Sequence, residues 1–355
     1  MKIIITSPSL NVNTNVSGVS SVANFIIKLN PKHRYIHFEV GKKDVDARGL
    51  KMIFRILIMY IKWFALMFTR FDLIHFNFPV DRRSVIRDVP MVMLAKLFGK
   101  RMVIHLHGGE LLLSNNVPGW LDFLVKIALS GRRPIIFLSS EEKHFITQKY
   151  NCYCSETLPN AIDLTDAEKF ERKYSADEIP TLLFIGRITG EKGIAQIYDA
   201  LKILKEQGLN FKYVMAGKGP AQAEFHKKFT DLLGDKYEFK GIVSGDSKTE
   251  TFKQCNIFLL PSYYEGLPIA LLEAMSFGLV PVTTDVGAMK TVVVTGTTGI
   301  IVGVKSTEDI VAAVNKLAAD KLYMKKISKN AKKLVRVAYN PHKYIEMLNN
   351  VYQYE

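Results

Sequence analysis

Short apolar runs recur through the first half of the chain ("KIIIT", "YIHFEV", "LIHFN", "MVIHLH", "PIIFLSS"), separated by segments of helix length. The second half repeats the arrangement with "TLLFIGR", "FKYVMAG", "IFLLPS" and "VPVTT". A strand with one face in water alternates apolar and polar residues, whereas these runs are nearly continuous, so both of their faces must be covered. Strands covered on both sides and alternating with helices build parallel, doubly wound sheets, which sets the class as α/β. In such sheets ligands sit beyond the carboxyl ends of the strands. The residues directly after each strand are therefore the candidates for chemistry.

At 355 residues the chain is long for one domain and suits two of roughly 150 to 180 each. Between residues 151 and 180 the periodic pattern lapses into polar, turn-rich sequence, which reads as a linker, with "LPNAID" (Leu158 to Asp163) at the junction. The expected division is a first domain over 1–165 and a second over 166–339. Hydrophobic content of 48% with 23% charged residues is globular composition, without the bias of a disordered or repeat chain. "MKIIITSPS" reads as a first strand and not as a leader, because its apolar stretch is shorter than a signal-peptide core. Cys152, Cys154 and Cys255 are odd in number and lack zinc spacing, which fits a reducing cytoplasm.

A net charge of +14 collects anions: nucleic acid, acidic lipid or phosphorylated substrates. Nucleic acid is excluded as the partner, since the cations form no recognised motif and no aromatic platform is interleaved with them. In "KMIFRILIMYIKWFALMFTR" the cations Lys51, Arg55, Lys62 and Arg70 fall within an arc of roughly 100° on a helix, and the rest of the circumference is apolar. Two internal cations argue against a spanning helix, leaving an in-plane interfacial helix or a domain helix buried on most sides. "KLYMKKISKNAKKLVR" (Lys321 to Arg336) also gathers its cations on one face, as a solvated helix does.

Two strand ends carry the most specific chemistry. After "TLLFIG" comes "RITGEKG", a turn holding Arg187 and Lys192 with Gly190 and Gly193 before a helix. A guanidinium fork and an ammonium beside a helix N-terminus suit a diphosphate. After "IFLLPS" comes "YYEGLPIALLEAM", with Glu265 and Gly266 in the loop, Pro268 suited to a first helical turn, and Glu273 inside the helix. Gly266 admits close approach, and the amides near Leu267 face any anion placed there. At 1.5 Å per residue Glu273 lies roughly 7 to 8 Å along the helix axis from Pro268, about the span of a diphosphate. Ionised carboxylates accept from vicinal hydroxyls, so an extended nucleoside diphosphate sugar could lie across this helix start, with Glu265 at the sugar end and Glu273 at a second hydroxylated group.

"GRITGEKG", "AGKGP" (Ala216 to Pro220), "KGIVS" (Lys240 to Ser244) and "PSYYEGLPIALLEAMSFGLVPVTTDVGA" together resemble the retaining nucleotide-sugar glycosyltransferases of family GT4, which have the GT-B fold of two Rossmann-like doubly wound domains facing each other across a cleft. The similarity runs through most of 181–303, in the family's order, and Glu265 and Glu273 resemble its pair of glutamates with seven residues between them. In the first half Gly18 of "NVSGVSSV" is similar to the family's glycine-rich loop, with Ser17 where a second glycine is usual. His107 of "HLHGGE" matches its histidine loop better than His105, and "LPNAID" has Ala161 where glycine is commoner.

The resemblance implies an N-terminal acceptor-binding domain over 1–165, a C-terminal donor-binding domain over 166–339, a closing helix over 340–355 that packs back on the first, and a role for each matched residue. Arg187 and Lys192 would hold the diphosphate and stabilise the leaving group; Glu273 would bind ribose hydroxyls. Glu265, with the Gly266 and Leu267 amides, would hold the transferred sugar and phosphate, His107 would approach the donor sugar from the other domain, and the backbone of Ile242 and Val243 would meet the base. Together with the cations, and with no Asp-x-Asp after a strand to hold Mg²⁺, the resemblance implies metal independence and no cofactor. The sequence offers no obvious nucleophile other than Glu265, which leaves same-face attack as the hypothesis. The expected partners are a nucleotide-sugar donor, a saccharide or polyprenyl-diphosphate-linked acceptor of cell-surface polysaccharide assembly (lipopolysaccharide O-antigen or capsule), and an anionic membrane surface. The expected place is the cytoplasm or the inner face of the membrane. A sugar-nucleotide epimerase or hydrolase on the same fold is the nearest rival. A nicotinamide dehydrogenase lacks its G-x-G-x-x-G after the first strand, and a catalytically silent scaffold would not need both glutamates and both cations.

Overall fold

The computed structural model describes residues 1–11, 14–15, 17–41, 50–108, 117–152, 154–175 and 179–354. These form two compact units, Met1–Asn160 with Pro341–Glu355, and Ala161–Asn340. The first unit runs β1 (Lys2–Ser7), α1 (Gly18–Leu29), β2 (Arg34–Glu39), α2 (Leu50–Leu66), β3 (Leu73–Phe78), α3 (Arg82–Leu97), β4 (Met102–Leu106), α4 (Gly119–Leu129), β5 (Pro134–Phe137), α5 (Ser140–Tyr150) and β6 (Cys154–Thr157). The second runs α6 (Thr165–Glu168), β7 (Thr181–Ile185), α7 (Ile194–Glu206), β8 (Lys212–Ala216), α8 (Gln222–Leu233), β9 (Tyr237–Gly241), α9 (Gly245–Gln254), β10 (Ile257–Leu260), α10 (Ile269–Ser276), β11 (Val280–Thr283), β12 (Ile300–Ile301), α11 (Thr307–Ala319) and α12 (Lys321–Ala338). The last helix, α13 (Pro341–Gln353), belongs to the first unit and buries Tyr344, Leu348, Val351 and Tyr352.

Both sheets are parallel throughout their described strands, in the orders β2-β1-β3-β4-β5-β6 and β12-β11-β10-β7-β8-β9. In the first, Ile4 stands opposite Ile36 on one side and Ile74 on the other. The strand order reverses between β1 and β3 in the first sheet and between β7 and β10 in the second. At such a switch point consecutive crossovers leave on opposite faces and open a crevice beyond the carboxyl ends of the two central strands. In the second unit that crevice falls where the loops after β7 and β10 emerge.

Three expectations are corrected. The stretch 151–180 is not all linker, since Cys154–Thr157 is an edge strand beside β5 and Thr165–Glu168 is a short helix. Pro268 caps α10 from outside, with extended backbone, and the helix begins at Ile269. The helix α2 is not buried on most sides: Met59 and Trp63 pack inward, while Phe54, Leu57 and Ile61 are more than half exposed. Trp63 is the anchor, with its indole N–H donating to Met91 O at 2.9 Å and its ring set edgewise against Phe38 and Phe76. Arg55 pairs with Glu39, Arg70 lies beyond the helix end, and the Lys51 side chain is outside the described residues. On α12 the apolar stripe of Met324, Ile327 and Val335 is buried, so its cationic face is the solvated side of an amphipathic helix.

Candidate active site

The loops after β7 and β10 are locked together by backbone contacts that few side chains would permit. Gly193 has φ +71, and a Cβ there would lie 2.3 Å from Pro261 O, so the turn into α7 needs glycine both for its conformation and for the approach of the other loop. The Tyr263 amide donates to Glu191 O at 2.8 Å, and the Tyr263 hydroxyl donates to Gln196 Oε1 at 2.7 Å. The loop after β11 braces the same segment: the Ala288 amide donates to Gly266 O at 2.9 Å, and Gly287, at φ +56, passes so close that a Cβ would sit 2.0 Å from Glu265 O.

This framework brings Lys192 and Glu265 into an ion pair although 73 positions separate them. The Glu265 side chain is only 11% exposed, and its Oε1 also accepts from Ser262 Oγ at 2.9 Å. Ser262 is held in turn, its carbonyl accepting from Thr284 Oγ1 at 2.6 Å. The carboxylate therefore has a fixed position at the switch point. An ammonium has three donors, so Lys192 can hold Glu265 with one and an incoming anion with another.

Glu273 lies inside α10, with the Lys248 ammonium of α9 2.5 Å from its Oε2 at angles that do not meet a hydrogen bond. That pair ties α10 to α9, whose N-terminal capping box is made by Ser244 and Ser247. Ile242 and Val243 are half-buried in the loop that leads into α9, so the segment expected at the base abuts the helix that holds Glu273. Arg187 is part-exposed in the segment after β7, between the Gly186 amide, bonded to Ala216 O at 3.1 Å, and the Ile188 amide, bonded to Lys218 O at 3.1 Å. Gly217 makes that pairing possible, since a Cβ there would be 1.8 Å from Gly186 O. Gly266 and Leu267 lead into α10, whose first amides lack intrahelical partners by the geometry of any helix start.

Arg187, Lys192, Glu265, Gly266, Leu267 and Glu273 thus gather on the loops after β7 and β10 and on α10, with Ile242 and Val243 after β9. Sequence reasoning missed Ser262, Thr284 and Lys248. Only Ser262 was within reach, three residues before Glu265 at the end of the strand run.

Gly18 and His107 belong to the first unit. Gly18 is the exposed first residue of α1, and a Cβ there would meet nothing within 4 Å. His107 follows β4, with Gly109 and Glu110 of its motif outside the described residues. Asn77 fixes its tautomer. The Asn77 Nδ2 donates to Thr6 O at 2.7 Å, so Oδ1 must accept from His107 Nε2 at 2.6 Å and from His75 Nε2 at 3.2 Å, leaving His107 Nδ1 as an acceptor. Burial, with the nearby His75, lowers the His107 pKa to about 3, so the ring is neutral at pH 7. His75, fully buried and receiving the Tyr352 hydroxyl at its Nδ1, is lowered to about 4 by burial. His105 lies against His107 with ring centroids 4.2 Å apart and planes tilted by 37°, and is fully buried.

Two parallel sheets of this order, with their Rossmann-like units, define the GT-B class, and solved structures share the fold. Sucrose-phosphate synthase from Thermosynechococcus elongatus aligns with a TM-score of 0.76 at 17% identity, covering 99% of this chain and 98% of that one. Anabaena HepE in complex with UDP-glucose aligns at 0.74 with 15% identity over 99% and 98%. Residues 166–334, most of the second unit, match the family model of glycosyl transferases group 1. The alpha-D-kanosaminyltransferase of Streptomyces kanamyceticus is 30% identical over 192 residues, 53% of this chain and 50% of that protein. An N,N'-diacetylbacillosaminyl-diphospho-undecaprenol alpha-1,3-N-acetylgalactosaminyltransferase of Campylobacter jejuni is 24% identical over 229 residues, 59% and 58%. The chain spans about half the length of the curated relatives it matches.

Proposed function

We propose that the protein is a retaining, metal-independent glycosyltransferase that moves a sugar from a nucleoside diphosphate donor to a saccharide or lipid-linked acceptor in cell-surface polysaccharide assembly. The observation that carries this is the Lys192–Glu265 pair, held at the β7/β10 switch point beside the start of α10. The donor diphosphate lies against the first amides of α10, Arg187 and the remaining donors of Lys192; Glu273 receives the ribose hydroxyls, and the base meets Ile242 and Val243. Glu265 and the Gly266 and Leu267 amides hold the sugar. As the bond from the anomeric carbon to the phosphate oxygen breaks, its electron pair goes to the phosphate. Preorganised cations and amides stabilise that developing charge, and such electrostatic stabilisation is usually the largest single contribution. The acceptor hydroxyl attacks from the same face and its proton goes to the departing phosphate oxygen. The cations Lys192 and Arg187 supply the charge that a bound Mg²⁺ would otherwise supply, so chelators should leave the rate unchanged.

The relatives support the acceptor class by name: one acts on a diphospho-undecaprenol saccharide, and others are assigned to amylovoran and teichuronic acid biosynthesis. A lipid-linked acceptor places the work at the inner face of the cell membrane. Among the described residues no helix is long and apolar enough to cross a membrane, so the association proposed is peripheral.

The test incubates the protein with a panel of sugar nucleotides, with and without polyprenyl-diphosphate-linked saccharides, and follows release of nucleoside diphosphate. Release that needs the acceptor supports the proposal. Equal release without acceptor makes the protein a hydrolase, an epimerised donor makes it an epimerase, and no donor consumed under any condition removes the reading.

A further inference from the structure

The crossovers β2-α2-β3, β3-α3-β4 and β4-α4-β5 all advance the same way across the first sheet, so with right-handed connections the three helices lie on one of its faces. Their packing agrees, α2 against α3 and α3 against α4. Helices in that position normally turn mostly charged residues outward, and these turn mostly apolar ones outward. On α2 the outward residues include Phe54, Leu57, Ile61 and Phe64. On α3, after Arg83, they are Ile86, Pro90, Met93 and Leu97, the last 81% exposed. On α4 they include Trp120 and Phe123. An apolar face spread over three helices exceeds what scattered surface residues explain.

The charge on this face has one sign. No acidic residue occurs on α2, the sole acid of α3 is Asp88, buried against Arg87, and Asp122 of α4 is held by Lys149 and the Tyr150 hydroxyl. Lys62 and Lys126 stand exposed on the face itself. At the far end, the turns that follow α2, α3 and α4 bring Arg70, Lys100, Arg101, Arg132 and Arg133 to one edge of the sheet, and the last four line a cavity of about 360 Å³ floored by Leu73 and Met102. The apolar face reaches this cavity: Phe68 packs on Phe98 at 5.1 Å, and Lys100, two residues on, donates to Thr69 O. Lys96, near Arg133, has its pKa lowered to about 8, first by burial and then by the charge on Arg133.

We propose that this outer face of α2, α3 and α4 rests on an anionic bilayer, its aromatic side chains at the acyl boundary and the basic cavity holding the phosphate of an acidic lipid headgroup. Apolar side chains below and cations at headgroup depth are what an interfacial helix layer requires. A second copy of the chain fits less well, because a two-fold contact would set the same predominantly cationic surface against itself. The proposal names the surface by which the lipid-linked acceptor is reached, and in that sense rests on the reading above, but its test does not depend on transfer.

The full chain is sedimented with vesicles of phosphatidylcholine alone or mixed with phosphatidylglycerol, beside the variants Phe54→Ser/Phe64→Ser/Phe123→Ser and Arg132→Ser/Arg133→Ser. Binding of nucleoside diphosphate to the second unit serves as the fold control. The wild type should bind the mixed vesicles preferentially. The arginine variant should lose roughly 30-fold in partitioning to them, at about fivefold per cation, and the phenylalanine variant should leave both kinds of vesicle unbound. Equal binding to neutral and mixed vesicles, or an unchanged arginine variant, overturns the proposal. So does a wild type that dimerises without lipid while the phenylalanine variant is monomeric and still binds vesicles. Vesicle binding without any nucleotide binding would instead remove the transferase reading and leave this one standing.

Discussion

Replacing Lys192 by Met separates what the Lys192–Glu265 pair does for the fold from what it does for the chemistry. The two side chains are 24% and 11% exposed, which puts the pair between a surface ion pair, worth up to about 1 kcal/mol, and a buried one, whose breaking costs about 3 to 5 kcal/mol. A loss of roughly 1 to 3 kcal/mol is expected, or about 2 to 10 °C in the melting temperature of a unit this size. Glu265→Gln should cost a similar amount, because the ammonium then faces an amide. The double variant should be more stable than the sum of the two singles predicts, with a coupling of about 1 to 2 kcal/mol. Activity should behave differently: removing one preorganised partner of a developing oxyanion costs about 100- to 1,000-fold, so kcat/KM should fall by that much for Lys192→Met and should not recover in the double variant. Thermal unfolding and steady-state kinetics on the four proteins measure both. Additive stabilities would refute the pairing, and a Lys192→Met enzyme retaining more than about a tenth of its kcat/KM would refute the role in leaving-group stabilisation.

Gly287→Ala should fold with difficulty and lose activity, because it combines positive φ with a contact 2.0 Å from Glu265 O; a cost of about 2 kcal/mol or more is expected in denaturant unfolding. Lys248→Met should raise KM for the donor with little change in kcat, since it loosens Glu273 and not the reacting end. The first unit should lose stability in acid. Its buried His75 and part-buried His107 have folded pKa values of about 4 and about 3, below the unfolded value of about 6.5, so the native state binds fewer protons. The stabilisation is complete above about pH 6.5 and declines as pH falls towards 4, by up to roughly 1.4 kcal/mol per histidine per pH unit. Urea unfolding at pH 7 and pH 5 would show it, and equal midpoints would contradict the buried neutral pair.

The parallel, doubly wound architecture was legible because central strands covered on both faces must be written as continuous apolar runs. The strands that escaped, β6, β9 and β12, are all at sheet edges. An edge strand has one neighbour and can be partly polar, and "CSET" and "YEFKG" offer no continuous apolar run. The site was legible where local spacing encodes it: Glu265 and Glu273 lie in one loop and one helix, and Arg187 and Lys192 in one turn. The pairing of Lys192 with Glu265, the Ser262–Thr284 support and the Lys248 partner of Glu273 join segments far apart in the chain, and those residue types are too common to stand out. For α2 the sequence left two readings open, an interfacial helix and one buried on most sides. Its pattern is apolar nearly all round, which in water means burial, and the structure leaves most of that surface open.

The most direct test of the central claim is a calorimetric titration of UDP, GDP, ADP and CDP, each beside its nucleoside monophosphate, into wild type, Arg187→Met and Lys192→Met. If the loops after β7 and β10 form a diphosphate clamp, one diphosphate should bind at least about tenfold tighter than its monophosphate, about 1.4 kcal/mol, and either substitution should erase the difference. Equal affinity for the two phosphates in the wild type, or a preference that survives both substitutions, would contradict it.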